Sequence, residues 1–241
     1  MKNLIPACCS SLWHRHSCLC GLHRLHGPKA GVALLLLLST GIAAAQSLAD
    51  LKSTNLLLDV DLTVNTAAAH FQGSDSARLT LVEFFDLECP NTADYCDRAF
   101  PQVIDAYVKT GKLRYLALDF PIEKFHSNAL KAATLAQCAG EQGRFWEARP
   151  RLLSNPVILD TAALGLDRSR FQECMESGRG AAKVKTGLEE GRKLKMPGTP
   201  SFYLGYRDPA DQSKVHAIKL LIGTQPFGVF QDLIDSLLKV P

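Results

Sequence analysis

The sequence predicts an α/β fold: a mixed four-stranded sheet flanked by helices, with a helical subdomain inserted between the second and third core strands. Three observations carry this. A strand–helix–strand run extends from Leu79 to Asp119, and about 75 residues of helical and turn character follow it. Two strands and a helix then close the chain.

The first 45 of 241 residues contain no Asp or Glu, carry Lys2, Arg15, Arg24 and Lys29, and include the apolar run Val32 to Leu38. Ala43-Ala44-Ala45 supplies small residues for cleavage before Gln46. This is the pattern of a secretory signal, so residues 1–45 are set apart from the fold and an exported, periplasmic or extracellular location is expected. Cys8, Cys9, Cys18, Cys20 and four histidines also lie there, at no recognisable zinc spacing, and no metal or other cofactor is called for. Without the leader, 23 Lys and Arg face 24 Asp and Glu, which removes the basic excess that nucleic-acid binding would use. Four of the eight cysteines remain: Cys89, Cys96, Cys138 and Cys174. In an exported chain these point to disulfide chemistry, structural or catalytic. The remaining length fits one domain with a substantial core.

Residues 46–76 read as a lead-in with a short helix within Ser47 to Leu58 and turn chemistry at Gly73-Ser74-Asp75-Ser76. The main domain is expected over 77–241. Leu79 to Phe85 is apolar apart from Thr80 and Glu83, as a central strand buried on both faces must be. Pro90 opens a helix, where its missing N–H is harmless; Pro101 bends that helix and Gly111 ends it. Lys112 to Asp119 is the next strand, parallel to the first by a right-handed crossover. The helical insertion occupies about 121–195, with helices from Ser127, Phe145, Ser169 and Ala181. Strands Ser201 to Leu204 and Val215 to Gly223 form a hairpin, and an amphipathic helix covers Phe227 to Leu238.

Cys89 lies where the first of these strands gives way to a helix. A thiol there faces unpaired backbone N–H groups and the positive end of the helix dipole, an arrangement that favours the thiolate over the thiol. Thiol–disulfide exchange needs an accessible thiolate as attacker and a stable one as leaving group. Glu83 would be expensive as an isolated buried charge, and its burial would suit a proton donor or acceptor for the thiol. Cys96 lies seven residues beyond Cys89, about 10 Å along the helix, past the roughly 7 Å limit for a disulfide. Pairing the two would need the first helical turns to open; otherwise Cys96 is a packed thiol.

The stretches LVEFFDLECP, TGKLRYLALDFP, CAGEQGRFWE and GTPSFYLG, taken in this order, resemble the exported DsbA-like branch of the thioredoxin superfamily. The resemblance implies a thioredoxin-like fold and a thiol–disulfide oxidoreductase, with Cys89 as the attacking cysteine and Glu83 as the buried acid beneath it. It places Pro200 as the cis-proline beside the thiol and Thr199 before it, where with Pro90 they would border a groove for an extended, cysteine-bearing polypeptide. Thr92 stands where the family usually has the second cysteine of Cys-x-x-Cys. A threonine cannot resolve a mixed disulfide but can donate a hydrogen bond to the Cys89 sulfur. Release would then require an external thiol or redox partner, or Cys96. Cys138 and Cys174 occupy places where some members carry a structural disulfide; the alternative is two separate buried thiols. Beside the oxidoreductase stand two other readings, a redox-inactive peptide-binding or chaperone-like module and a glutathione-linked thiol enzyme. The fold alone does not choose among them.

Overall fold

Leu58, Val60, Leu62 and Val64 alternate with polar residues, and this period of two builds a strand within the expected lead-in. The computed structural model describes residues 47–239, so the expected leader, with its cysteines and histidines, lies outside the described residues. The chain opens with the short helix α1 (Leu48–Ser53), capped by a reciprocal Ser47–Asp50 box. Strands β1 (Leu57–Asn65) and β2 (His70–Gln72) follow before β3 (Leu79–Phe85). Next come α2 (Pro90–Arg98), α3 (Phe100–Val103), a π-helical turn over Ile104–Val108, and β4 (Leu113–Asp119). The inserted helices are α4 (Ala129–Gly140), α5 (Phe145–Ser154), α6 (Arg168–Ser177) and α7 (Arg179–Lys193). Strands β5 (Ser201–Arg207) and β6 (Lys214–Ile222) and helix α8 (Phe227–Leu238) complete the order.

The sheet has six strands rather than four, in the order β1-β6-β5-β3-β4-β2. The expected core is present: β3 pairs with β4 in parallel and with β5 antiparallel, and β5 and β6 form the hairpin. The two added strands are the edges, β1 on β6 and the three-residue β2 on β4, both antiparallel. The lead-in therefore belongs to the sheet. The single long helix expected after Cys89 is broken at Ala99 and Pro101 and finishes in the π turn, with Gly111 at φ 74° reversing the chain. Among the described residues, no helix is long and apolar enough to cross a membrane.

Every residue of β3 and β4 is buried, so alternate residues feed two cores. Leu81, Phe85, Tyr115 and Phe202 face the larger one with α2, α8 and much of the inserted block. Val82, Phe84, Leu116 and Tyr203 face the smaller one, where Leu188 of α7 packs. Within the block, Cys138 of α4 and Cys174 of α6 form a disulfide with a Cα–Cα distance of 5.7 Å. A side chain on Gly180 would bring a Cβ to 2.7 Å from the Cys138 sulfur, so α7 can lie against the bridge only with glycine there.

The disulfide closes a loop with a sequence separation of 36, which by loop-closure entropy stabilises the fold by about 3–4 kcal/mol. The double variant Cys138→Ala/Cys174→Ala should lower the unfolding free energy by that amount in urea denaturation, with a larger m-value because the unfolded chain is no longer cross-linked. A shift below about 1 kcal/mol would show that the block holds its arrangement without the bridge.

Candidate active site

Three chain segments meet at Cys89. The first is the turn that follows β3. Asp86 is buried, and its carboxylate accepts from the N–H of Glu88 at 2.8 Å, from the N–H of Ile122 at 2.8 Å and lies 2.9 Å from His126 Nδ1. The carboxylate of Glu88 in turn accepts from the backbone and side-chain amides of Asn128, at 2.6 and 3.0 Å. Two acids of this turn, Asp86 and Glu88, thus tie it to the segment after β4, and the N–H of Cys89 closes it on the Asp86 carbonyl at 3.2 Å.

The second segment is α2. Cys89 is its N-cap, in extended backbone conformation, with Pro90 in the first turn. The sulfur makes no capping hydrogen bond to the helix; it donates instead to the carbonyl oxygen of Thr199 at 3.3 Å. Thr92 lies in the first turn, fully buried, and its hydroxyl has no hydrogen-bond partner among the described residues.

The third segment is the entrance to β5. The Thr199–Pro200 peptide bond is cis. Pro200's carbonyl accepts from the N–H of Gly223 at 2.9 Å, and Thr224 of the same loop donates its hydroxyl to the Asn91 carbonyl at 2.6 Å. This loop joins the cis-proline turn to the first turn of α2. The Thr199 hydroxyl, like that of Thr92, is buried without a partner. Cys89 itself is only 6% exposed.

Glu83 does not sit as the isolated acid that its sequence context implied. Its two carboxylate oxygens take Arg149 Nη2 at 2.6 and 2.7 Å, and the hydroxyl of Tyr115 donates to it at 2.7 Å. Tyr115 is also 3.1 Å from the hydroxyl of Tyr95 on α2. Burial, and next the Glu83 charge, push both phenols well above their ordinary range, so they stay as O–H donors. The Arg149 guanidinium lies over the rings of Phe85 and Phe100, at 4.9 and 5.1 Å from their centroids. A carboxylate so matched by a guanidinium anchors the helices, and no hydrogen bond joins Glu83 to Cys89 among the described residues.

Cys96 is a buried thiol further along α2 and borders a small gap against Pro150 and Leu153 of α5. It lies on the side of α2 that meets the inserted block. Pro90, Thr92, Thr199 and Pro200 thus gather around Cys89, while Glu83 and Cys96 serve the packing behind it. Sequence reasoning missed Arg149, because an arginine inside an amphipathic helix normally reads as surface. It also missed Asp86, for which Asp two residues before Glu88 is an ordinary turn signal.

A further buried acid, Asp119, ends β4. Asp119 accepts from Gln137 Nε2 at 2.5 Å, and Gln137 Oε1 is 2.9 Å from His70 Nε2, whose ring stacks on Phe145. Burial drives the Asp119 carboxyl up to about 7; Gln137 and Arg149 oppose the rise, and the Asp86 charge adds to it.

The family model described as thioredoxin matches residues 65–223, and the chain belongs to the thioredoxin family. Its fold is DsbA-like. It superposes on the crystal structure of Wolbachia pipientis alpha-DsbA1 with a TM-score of 0.57 and 21% identity, over 70% of this chain and 90% of that one. For oxidised BdbD from Bacillus subtilis the TM-score is 0.61 at 17% identity, over 75% and 98% of the two chains. A curated relative, Na(+)/H(+) antiporter NhaA 3 of Salinispora tropica, is 31% identical over 209 residues, which are 77% of this chain and 31% of that protein. The chain spans about a quarter to a third of the length of such relatives.

Removing Arg149 leaves the Glu83 charge buried and uncompensated. Arg149→Met should destabilise by about 3–5 kcal/mol in chemical denaturation, and adding Glu83→Gln should recover a large part of that loss. Strict additivity of the two changes would show that the pair does not act as a unit.

Asp119 gives a pH signature. Its folded pKa of about 7 lies above the unfolded 3.8, so the unfolded state releases the proton first. The contribution is fully present below about pH 4, is lost as pH rises toward 7, and amounts to something on the order of 4 kcal/mol. Stability of wild type minus that of Asp119→Asn should fall across this window and flatten above it; a difference independent of pH from 4 to 8 would contradict the assignment.

Proposed function

We propose that this protein is an exported thiol–disulfide oxidoreductase with a single-cysteine site. The observation that supports it is the position of Cys89: N-cap of α2, its sulfur 3.3 Å from the carbonyl of Thr199 in the cis-proline turn, with Thr92 rather than a second cysteine in the first turn. The signal-like leader supports export. The substrate is a protein or peptide carrying cysteines, laid in extended form along Thr199-Pro200.

In the reaction the Cys89 thiolate attacks one sulfur of a substrate disulfide. A bond forms between Cys89 and that sulfur, the substrate's S–S bond breaks, and the departing sulfur takes a proton. The buried hydroxyls of Thr92 and Thr199, which have no partners in the resting site, are available as hydrogen-bond donors to the sulfurs. An external thiol then attacks the substrate sulfur of the mixed disulfide. It forms a new disulfide with the substrate and returns Cys89 to the thiol. The same steps in reverse move a disulfide the other way, and no further oxidant or reductant enters. Resolution by Cys96 would require α2 to unwind and Tyr95 to leave the core, since both residues are fully packed.

The test is trapping. Incubated with a peptide disulfide, wild type should accumulate a mixed disulfide at Cys89 that persists until glutathione or another small thiol is added, and Cys89→Ala should form none. Thr92→Cys should clear the same adduct unaided, at least tenfold faster. Failure of wild type to form any adduct would leave the peptide-binding module as the better reading.

A further inference from the structure

At the opposite end of the sheet from Cys89, two arginines face an open cavity of about 440 Å3. Arg114 is the second residue of β4, opposite Thr80, and Arg207 ends β5 one residue past Tyr206, which pairs with Leu79; both thus lie by the start of β3, about 17 Å along that strand from the end that leads to the thiol. Arg114 is only 8% exposed, yet its Nε and Nη1 have no hydrogen-bond partner among the described residues. Arg207 is better held: Nη1 donates to the Asp75 carbonyl at 2.8 Å and Nη2 to Gln212 at 2.6 Å, while its Nε is also buried without a partner. Among the described residues that line the cavity, the anion is the Asp75 carboxylate, 3.5 Å from Arg114 Nε and from Arg207 Nη1, too far for good hydrogen bonds and 68% exposed on its turn.

A guanidinium that has given up water without gaining acceptors is costly, and the deficit is larger where two cations share one side of a cavity. Burial, and then Arg207, pull the Arg114 pKa down, against Asp75. Planar forks of this kind match an oxyanion, which can accept two bonds at once from each arginine. The other walls include Phe71, half exposed and stacked on Arg114 at 4.7 Å, with Leu116 beside it. They offer a flat apolar contact next to the charge. We infer that this cavity binds a small molecule that carries a phosphate or carboxylate group on an aromatic or other apolar body. The oxyanion takes the place that Asp75 now fills imperfectly, between Arg114 and Arg207, and the body rests on Phe71. The site is separate from the thiol and does not depend on the redox reading.

The experiment uses the full chain with phenylphosphate, benzoate and inorganic phosphate as probes, in titration calorimetry and in thermal melts at ionic strength held constant with sodium chloride. At least one probe should bind and raise Tm with concentration, as a ligand selective for the folded state must. Phenylphosphate alone identifies the phosphate head and benzoate alone the carboxylate; both outcomes support the site. Arg114→Gln should weaken binding at least tenfold, and Asp75→Asn, which removes the competing carboxylate, should tighten it several-fold. Should Arg114→Gln fail to fold, Asp75→Asn decides: tighter binding supports the site, and unchanged or weaker binding overturns it. The proposal also fails if all three probes match sodium chloride alone, or if Arg114→Gln binds as well as wild type.

Discussion

The contact on which most of this structure depends is the buried ion pair between Glu83 and Arg149. It joins the central strand β3 to the inserted helix α5, and through Tyr115 and Tyr95 it reaches β4 and α2. Four elements, β3, β4, α2 and α5, are thereby fixed around one carboxylate. Two charges removed from water repay their desolvation only when geometry is tight and the remaining lone pairs are used. Here the guanidinium meets both oxygens, a phenol completes the set, and aromatic rings lie against the cation. The helix that carries Cys89 is consequently held from behind by directional bonds as well as by apolar packing.

That support leaves the front of the site to its turns. The Asp86–Glu88 turn is bonded to the segment that opens the helical block, and the Gly223-Thr224 loop bonds both the cis-proline turn and the start of α2. Cys89 sits between these two anchors. Its position is set by backbone and carboxylate contacts that would be the same for many side chains in the first helical turn. Thr92 therefore takes its place in the first turn without disturbing the frame.

The sequence made the central architecture legible because β3, β4 and the helices between and after them carry strong periodic patterns and clear breakers. The Cys-Pro junction and Gly-Thr-Pro were legible as local features, and their meeting in space followed only from the resemblance. Edge strand β1 had a clean alternation, but it lies among turn-forming residues. Strand β2 is three residues long, too short for periodicity to register. Arg149, Arg114 and Arg207 were hidden for a different reason. Their importance lies in which groups surround them after folding, and nothing in residue type or spacing encodes that.

The edges of the sheet bear on how copies of this chain meet one another. One edge, β2, is too short to template another strand. The other, β1, is long enough, but its ladder to β6 shifts register between Asp59 and Leu62, and its outward positions include Asp59 and Asp61. Two such strands laid side by side would have to follow a bent backbone. Among the described residues, neither edge therefore favours the addition of a further strand.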